Sequence, residues 1–112
     1  MRDERFSFSN CPMTRSMGVI GTKWKPIIIN AIQKRKLRFG QLDAIIPIIT
    51  RKVLTEQLKE LEEDGIIFRE YQSDLAQKVE YSLTPKGLEL LPILSAIVDW
   101  NLKFEAMEKQ TK

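Results

Sequence analysis

The sequence of 112 residues contains no histidine and only one cysteine, and these shortages exclude several classes of function. Without histidine the chain can form no Ser-His-Asp triad and has no imidazole general base. It also lacks a side chain that most zinc sites require. One cysteine cannot form an intrachain disulfide framework and fits a reducing compartment. The chain also lacks a glycine-rich phosphate loop. We therefore expect a protein that is not an enzyme, with no metal site and no cofactor.

Long apolar runs are missing as well. No stretch approaches the roughly 18 apolar residues of a membrane span, and residues 1–5 lack the apolar core of a signal peptide. These absences predict a cytoplasmic protein with no membrane partner. The length and an apolar content of 43% favour a single globular domain over residues 1–112.

The formal net charge of +3 is unevenly distributed along the chain. Residues 1–40 contain nine Lys/Arg and two Asp/Glu, residues 41–83 contain five and nine, and residues 84–112 contain four of each. The basic first third is compatible with contact to phosphate groups. A solvated surface is the alternative interpretation, and it applies equally to the run Lys34-Arg35-Lys36 followed by Arg38.

The most informative pattern lies between residues 50 and 64. Thr50 is a suitable helix N-cap, and three leucines then follow at helical spacing, namely Leu54, Leu58 and Leu61. The opposite helix face carries polar residues, among them Lys52, Thr55, Glu56 and Lys59. Gly65 suits the left-handed position that ends a helix. The pattern predicts an amphipathic helix that presents its polar face.

The segments around this helix complete a recognisable layout. A shorter helix over about Arg38–Ile46 and a turn through Pro47 precede it, so residues 38–64 are predicted to form a helix-turn-helix. Two strand-like runs follow within residues 66–83, Ile66–Tyr71 and Lys78–Leu83. We therefore predict a mainly helical α+β fold, a winged helix-turn-helix with a two-stranded wing.

Two helices are expected before residue 38. Cys11-Pro12 marks the start of the first, since proline is favoured at the first helical position. The second runs from about Trp24 to Gln33, with Ile28, Ile29 and Ile32 on its buried side.

The C-terminal segment over residues 84–104 is predicted to be a long helix that begins at Thr84-Pro85. It carries two apolar stripes, although one stripe suffices to pack a surface helix on its own domain. A second copy of the chain would bury the other stripe, which makes this a dimerisation helix. The alternative is a deep groove within one chain. The expected interface residues are Phe6 and Phe8 of the N-terminal arm (residues 1–10) and Ile97, Trp100, Leu102 and Phe104.

Several landmarks together resemble the HxlR-type winged-helix transcription regulators, a bacterial and archaeal family related to the MarR type. They are Gly21-Thr22-Lys23-Trp24, Arg38-Phe39-Gly40-Gln41-Leu42, Leu54-Thr55-Glu56-Gln57-Leu58, Leu61-Glu62-Glu63-Asp64-Gly65, Val79 to Gly87, and Trp100. The resemblance implies a homodimer whose two recognition helices enter successive major grooves of double-stranded DNA at a near-palindromic operator. It also implies that a cysteine near the N-terminus responds to electrophiles or oxidants in some members, and Cys11 stands at the matching place.

Two positions depart from the family pattern. The wing segment over residues 72–78 contains only one basic residue, Lys78, and an acidic Asp74, which weakens the expectation that the wing inserts into the minor groove. Ile48 occupies a turn position where glycine is often found.

The predicted DNA contacts combine the presented helix face with flanking basic groups: Thr50, Arg51, Lys52, Thr55, Lys59, Arg38 and Lys78. The predicted redox-sensing residue is Cys11, for which a small side chain packed at the dimer interface is the alternative. The leading function is a sequence-specific DNA-binding transcription regulator. A winged-helix module that binds another protein is the second reading. A thiol redox enzyme is a third, and the single cysteine argues against it.

Overall fold

The computed structural model describes residues 11–71 and 78–111, which form six helices and three strands within those ranges. The elements follow one another as α1 (Pro12–Ile20), α2 (Lys25–Ile32), β1 (Leu37–Arg38), α3 (Phe39–Ile45), α4 (Arg51–Glu63), β2 (Ile67–Tyr71), β3 (Val79–Leu83), α5 (Pro85–Leu88) and α6 (Leu90–Thr111). The predicted N-terminal arm, with Phe6 and Phe8, and the wing tip at residues 72–77 lie outside the described residues. The winged-helix fold is confirmed.

The strands form an antiparallel sheet in the order β1-β3-β2 across the described part of the chain. The hairpin of β2 and β3 was predicted, whereas β1 was not. Leu37 pairs with Tyr81 and Arg38 with Glu80, so this two-residue strand is defined only by its pairing with β3. The prediction that Arg38 begins the third helix was therefore wrong by one residue, since α3 starts at Phe39.

The hydrophobic core lies where α2, α3 and α4 meet the sheet. Its fully buried side chains include those predicted from periodicity, Ile28, Ile29, Ile32, Leu42, Leu54 and Leu61. Gly65 adopts a φ of 74°, and the amide of Ile66 donates to the carbonyl of Leu61 at 2.9 Å. These features form the Schellman end of α4 that the Asp64-Gly65 pair predicted.

The C-terminal segment is two helices, where the sequence predicted one. α5 ends at Leu88, a turn residue follows, and α6 begins at Leu90. Pro92 thus falls in the first turn of α6, where the missing amide hydrogen costs no intrahelical bond. Within the described residues, no helix is long and apolar enough to cross a membrane.

Candidate nucleic-acid interface

Helix α4 presents a polar face to solvent because its opposite face is fixed in the core. Leu54, Leu58 and Leu61 are at most 2% exposed, while the polar residues of the other face are exposed, namely Lys52, Thr55, Glu56, Lys59 and Glu63. The hydroxyl of Thr50 accepts from the amide of Val53 at 3.1 Å and caps the N-terminus. The structure thus brings the predicted helix residues together on one surface.

Two residues of this surface are already engaged within the protein. The hydroxyl of Thr55 donates to the carbonyl of Arg51 at 2.8 Å, so toward an external partner it offers acceptor lone pairs and a methyl group. Arg51 Nε lies 3.2 Å from Asp43 Oδ2 of α3, across the turn of the helix-turn-helix. Asp43 was not singled out from the sequence, and its pair orients the Arg51 guanidinium beside the N-terminus of α4.

Arg38 and Lys78 lie at the sheet, apart from the α4 residues in the chain. Arg38 pairs with Glu80 in the β1–β3 register, and its backbone amide donates to Gln41 Oε1 at 2.8 Å, which begins α3. Lys78 is exposed and directly precedes β3. Because β1 and β3 are antiparallel, both basic residues belong to the same end of the sheet.

The basic loop between α2 and β1 is tied into the fold. The Arg35 guanidinium donates to the carbonyl of Ala31 at 2.9 Å and so satisfies the C-terminal end of α2. Lys36 Nζ lies 3.3 Å from Glu70 Oε1 on β2. Two of the three cations of the run are thus used internally, and only Lys34 shows no such pairing among the contacts described.

Two side-chain contacts that hold α4 from its inner side were not predicted from the sequence. Lys25 is 4% exposed, and its Nζ lies 2.6 Å from Glu60 Oε1 on α4. Gln57 lies one turn before Glu60 on α4, and its Oε1 accepts a hydrogen bond from the Thr22 hydroxyl at 3.4 Å. The same hydroxyl accepts from the backbone amide of Lys25 at 3.2 Å. Thr22 of the turn between α1 and α2 and Lys25 at the start of α2 therefore hold α4 at two points. The burial of Lys25 could have been predicted from helical spacing, because Lys25 shares a face of α2 with Ile28, Ile29 and Ile32.

Cys11 stands at the N-cap of α1, with an extended backbone, and is partly exposed. Its sulfur makes no side-chain capping bond of standard geometry. The backbone amides of Thr14 and then Met13 nevertheless lower the pKa of the Cys11 thiol, because an N–H group directed at sulfur stabilises the thiolate. A larger fraction of this thiol is thus ionised at a given pH than for an ordinary cysteine.

The apolar stripes of α6 remain exposed in the single chain. Leu94 is buried at 8% exposure, but Ile97, Trp100, Leu102 and Phe104 are 44–63% exposed. Val98, which shares a predicted stripe with Leu102, is 53% exposed. Leu90 and Leu91, one from each predicted stripe, pack partly against the core, and Leu94, which belongs to neither stripe, is buried. The expectation that one stripe packs on its own domain was therefore wrong beyond the first turns of α6. Met13 and Met17 of α1 add further exposed apolar surface.

Comparisons with known proteins agree with this geometry. The model of the HxlR-like helix-turn-helix family matches residues 19–109. The uncharacterised HTH-type transcriptional regulator YdeP of Bacillus subtilis (strain 168) is 41% identical over 98 residues, which cover 88% of this chain and 77% of that protein.

Two solved structures show the same fold. The redox regulator HypR in its reduced form superposes with a TM-score of 0.80 at 39% identity, covering 89% of this chain and 99% of that one. Quinone-bound YodB from B. subtilis gives a TM-score of 0.73 at 32% identity, covering 83% and 98%. The chain therefore belongs to the HxlR-like helix-turn-helix family of transcriptional regulators.

Proposed function

We propose that this protein regulates transcription as a homodimer bound to a near-palindromic operator, with α4 in the major groove. The polar face of α4, held outward by the buried leucines, is the observation that carries the proposal. An α-helix fits the major groove of B-DNA, and side chains on its outer face reach base edges and phosphates. Lys52 and Lys59 are the cations of that face, and Arg51 and Thr50 lie at its N-terminal end.

Arg38 and Lys78 extend the proposed interface to the sheet. Both are exposed at one end of the sheet, where a cation can pair with a backbone phosphate. Such contacts position a protein on DNA without carrying sequence information. We assign specificity to α4 and registration on the duplex to these two residues.

The exposed apolar surface of α6 supports the proposed dimer. In a single chain Ile97, Trp100, Leu102 and Phe104 are exposed to water. A second copy of the chain would bury these four apolar side chains, none of which carries a charge. Twofold symmetry then sets two α4 helices against half-sites about 34–36 Å apart. The predicted arm residues Phe6 and Phe8 belong to the same proposed interface.

Lys52→Ala and Lys59→Ala should each weaken operator binding while leaving the fold intact, since both side chains are exposed. A lysine on a phosphate should lower the slope of log affinity against log salt by about 1 and weaken all sequences alike. A lysine on a base edge should relax specificity at one position, at a cost of about 1–3 kcal/mol. Mobility shifts with a mapped operator at several salt concentrations measure both effects.

Lys34→Ala is the matched control, because it removes the same charge from an exposed loop outside α4. If the two α4 variants bind the operator as tightly as wild type does, the assignment of α4 to the groove is wrong. If wild type shows no salt-sensitive binding to any mapped site, the module instead binds another protein.

A thiol response is the second part of the proposal. The lowered pKa of Cys11 favours reaction with electrophiles. HypR is named as a redox regulator, and YodB has been solved with a bound quinone. In this chain, two Cys11 thiols of a dimer can give one disulfide as diamide is reduced to the hydrazine. Alternatively, one thiolate can add to a quinone ring carbon, or it can exchange with a small-molecule disulfide to form a mixed disulfide and release the other half as a thiolate.

Diamide or a quinone should change the operator affinity of wild type but not of Cys11→Ser. Oxidation or alkylation at Cys11 would alter the spacing of the two α4 helices, since Cys11 directly follows the arm that we assign to the proposed interface. The measurement is a binding isotherm before and after treatment, with reversal by dithiothreitol as the control for disulfides. Equal affinities of both proteins after treatment would make Cys11 a packing residue.

A further inference from the structure

A groove lies on the outer face of the sheet, beside the loop that joins α2 to β1. It encloses about 440 Å³, and its lining includes Phe68 of β2, Ser82 of β3 and Leu88 of α5. Side chains alternate between the two faces of a strand, so Phe68 lies on the face opposite the buried Ile67. Phe68 and Leu88 are 48% and 36% exposed. The groove thus presents two large apolar side chains outside the hydrophobic core, which is typical of interaction surfaces.

The charged side chains of this groove are mainly cations. Lys34, Arg35 and Lys36 line it, and Glu70 is the one carboxylate of the lining. Lys36 Nζ lies 3.3 Å from Glu70 Oε1, and both side chains are about half exposed, so an incoming anion can reach the lysine. Arg35 donates from Nε and Nη2 to the carbonyl of Ala31, and no contact described for this chain engages its Nη1 group. Three cations against one carboxylate leave the groove with a net positive charge.

Charge and shape together favour an acidic peptide segment as the occupant. Carboxylates can pair with Lys34 and Arg35. An aliphatic or aromatic side chain of the same segment can pack against Phe68 and Leu88. A DNA backbone or an inorganic anion offers negative charge but no apolar side chain, so either would leave Phe68 uncovered. A protein segment supplies both features.

The groove lies toward the end of the sheet opposite the wing tip. In the ladder of β2 and β3, Tyr71 adjoins residues 72–77 of the wing tip, whereas Phe68 lies three residues away. Glu70 and Glu80 pair with each other in between, and two facing carboxylates disfavour extension of an acidic ligand toward the wing. The DNA contacts proposed above involve α4 and the wing end of the sheet, so a duplex bound there leaves this groove accessible.

We propose that this groove binds an acidic segment of another protein that carries an aliphatic or aromatic side chain, and that it does so while the operator is occupied. The second statement rests on the proposed function, and the first does not. The carboxylates of the segment contact Lys34 and Arg35, and its apolar side chain packs against Phe68 and Leu88. Such a surface allows a DNA-bound regulator to hold a second protein beside the operator.

The probe is a fluorophore-labelled synthetic peptide, Gly-Asp-Glu-Leu-Phe-Asp-Glu-Gly. One control peptide has Asn and Gln in place of Asp and Glu, another has Ser-Ser in place of Leu-Phe, and both carry the same label. We expect fluorescence anisotropy to show saturable binding of the acidic peptide by wild type and binding about tenfold weaker for each control. In two-dimensional NMR spectra, the acidic peptide should shift the backbone amides of Phe68, Ser82 and Leu88.

Variants of the groove separate its apolar and its charged contributions. Phe68→Ala should weaken peptide binding about tenfold, because it removes the largest apolar contact. Tyr71→Ala is the matched control, since Tyr71 is an exposed aromatic residue of the same strand on the opposite face, and binding should stay within about twofold. Lys34→Glu should weaken binding. Glu70→Gln removes the carboxylate that competes for Lys36 and should strengthen binding about twofold to fivefold, which a purely structural role of this pair does not predict.

Several results would overturn the site, with the thermal midpoint of each variant recorded as the control for unfolding. They are an absence of saturable binding by folded wild type, equal binding by Phe68→Ala and Tyr71→Ala, and no gain of affinity in Glu70→Gln. Phe68→Ala that dissociates a dimer in sedimentation velocity would assign the groove to a second copy of the chain and would also overturn the proposal.

The operator tests simultaneous binding. Saturating operator DNA should leave the affinity for the acidic peptide within about twofold, because the two surfaces are separate. Displacement of the peptide by the operator would overturn simultaneous binding and would assign the basic loop to the DNA interface. If no DNA is bound under any condition, the proposed function fails, while the peptide isotherms still decide whether the groove takes an acidic segment.

Discussion

Trp100→Ala should convert the protein from a dimer into monomers or aggregates at micromolar concentration, and Leu102→Ala should do the same. Both side chains are more than half exposed in the single chain, so their truncation leaves the interior of one subunit unchanged. Removing such a side chain from a buried interface costs about 2–5 kcal/mol. Since about 1.4 kcal/mol is a tenfold change in a dissociation constant, the dimer equilibrium shifts by orders of magnitude.

Sedimentation velocity over a concentration series measures this shift. Asp99→Ala is the matched control, because it truncates an exposed polar residue that directly precedes Trp100 on α6. The ring of Trp100 lies 6.2 Å from that of Phe104, so we expect Phe104→Ala to follow the two interface variants. Wild type that stays monomeric at high concentration would contradict the dimer, and with it the paired half-sites.

The sequence predicted the parts of the fold that are determined by local patterns, such as the spacing of apolar residues along one helix and the residues at its ends. The leucine stripe of α4, the Thr50 cap and the glycine after Asp64 all agree with the structure, because caps and stripes are local properties. The wing strands agree to within a residue of their predicted bounds for the same reason.

Contacts between distant segments were not predicted. β1 has only two residues and no pattern of its own, so its pairing with β3 is visible only in three dimensions. Lys25 and Glu60 each look like a solvated charge, and their pair depends on how α2 crosses α4. The groove lining likewise mixes residues of a loop, two strands and α5. The functional assignment was therefore easier to predict than the side chains that orient α4.

One corner of the fold connects the end of α4 to the start of the C-terminal helices. The Thr84 hydroxyl donates to the carbonyl of Gly65 at 2.7 Å and accepts from the amide of Gly87 at 3.0 Å. The amide of Thr84 donates to the carbonyl of Ile66 at 3.0 Å, and Lys86 Nζ donates to the carbonyl of Asp64 at 2.9 Å. This corner fixes α4 relative to the helix that forms the proposed dimer interface.

Gly87→Ala should be the most disruptive single methyl addition at this corner. A Cβ at position 87 would collide with the backbone carbonyl oxygen of Ile66, and backbone cannot rotate away as a flexible side chain can. Overpacking of this kind costs about 1–3 kcal/mol and occasionally more. Gly40→Ala is the matched control, since a Cβ on that α3 residue meets nothing within 4 Å.

Thermal unfolding should place the two alanine variants on opposite sides of wild type. Gly40→Ala should raise the free energy of unfolding by about 0.5–1 kcal/mol, because alanine has the higher helix propensity. Gly87→Ala should lower it and should also weaken operator binding under conditions where the protein remains folded, because α4 then sits differently relative to α6. Equal midpoints for the two variants would mean that the corner yields to the added methyl group. Operator affinity retained by folded Gly87→Ala would mean that the corner supports the fold without setting the position of the recognition helix.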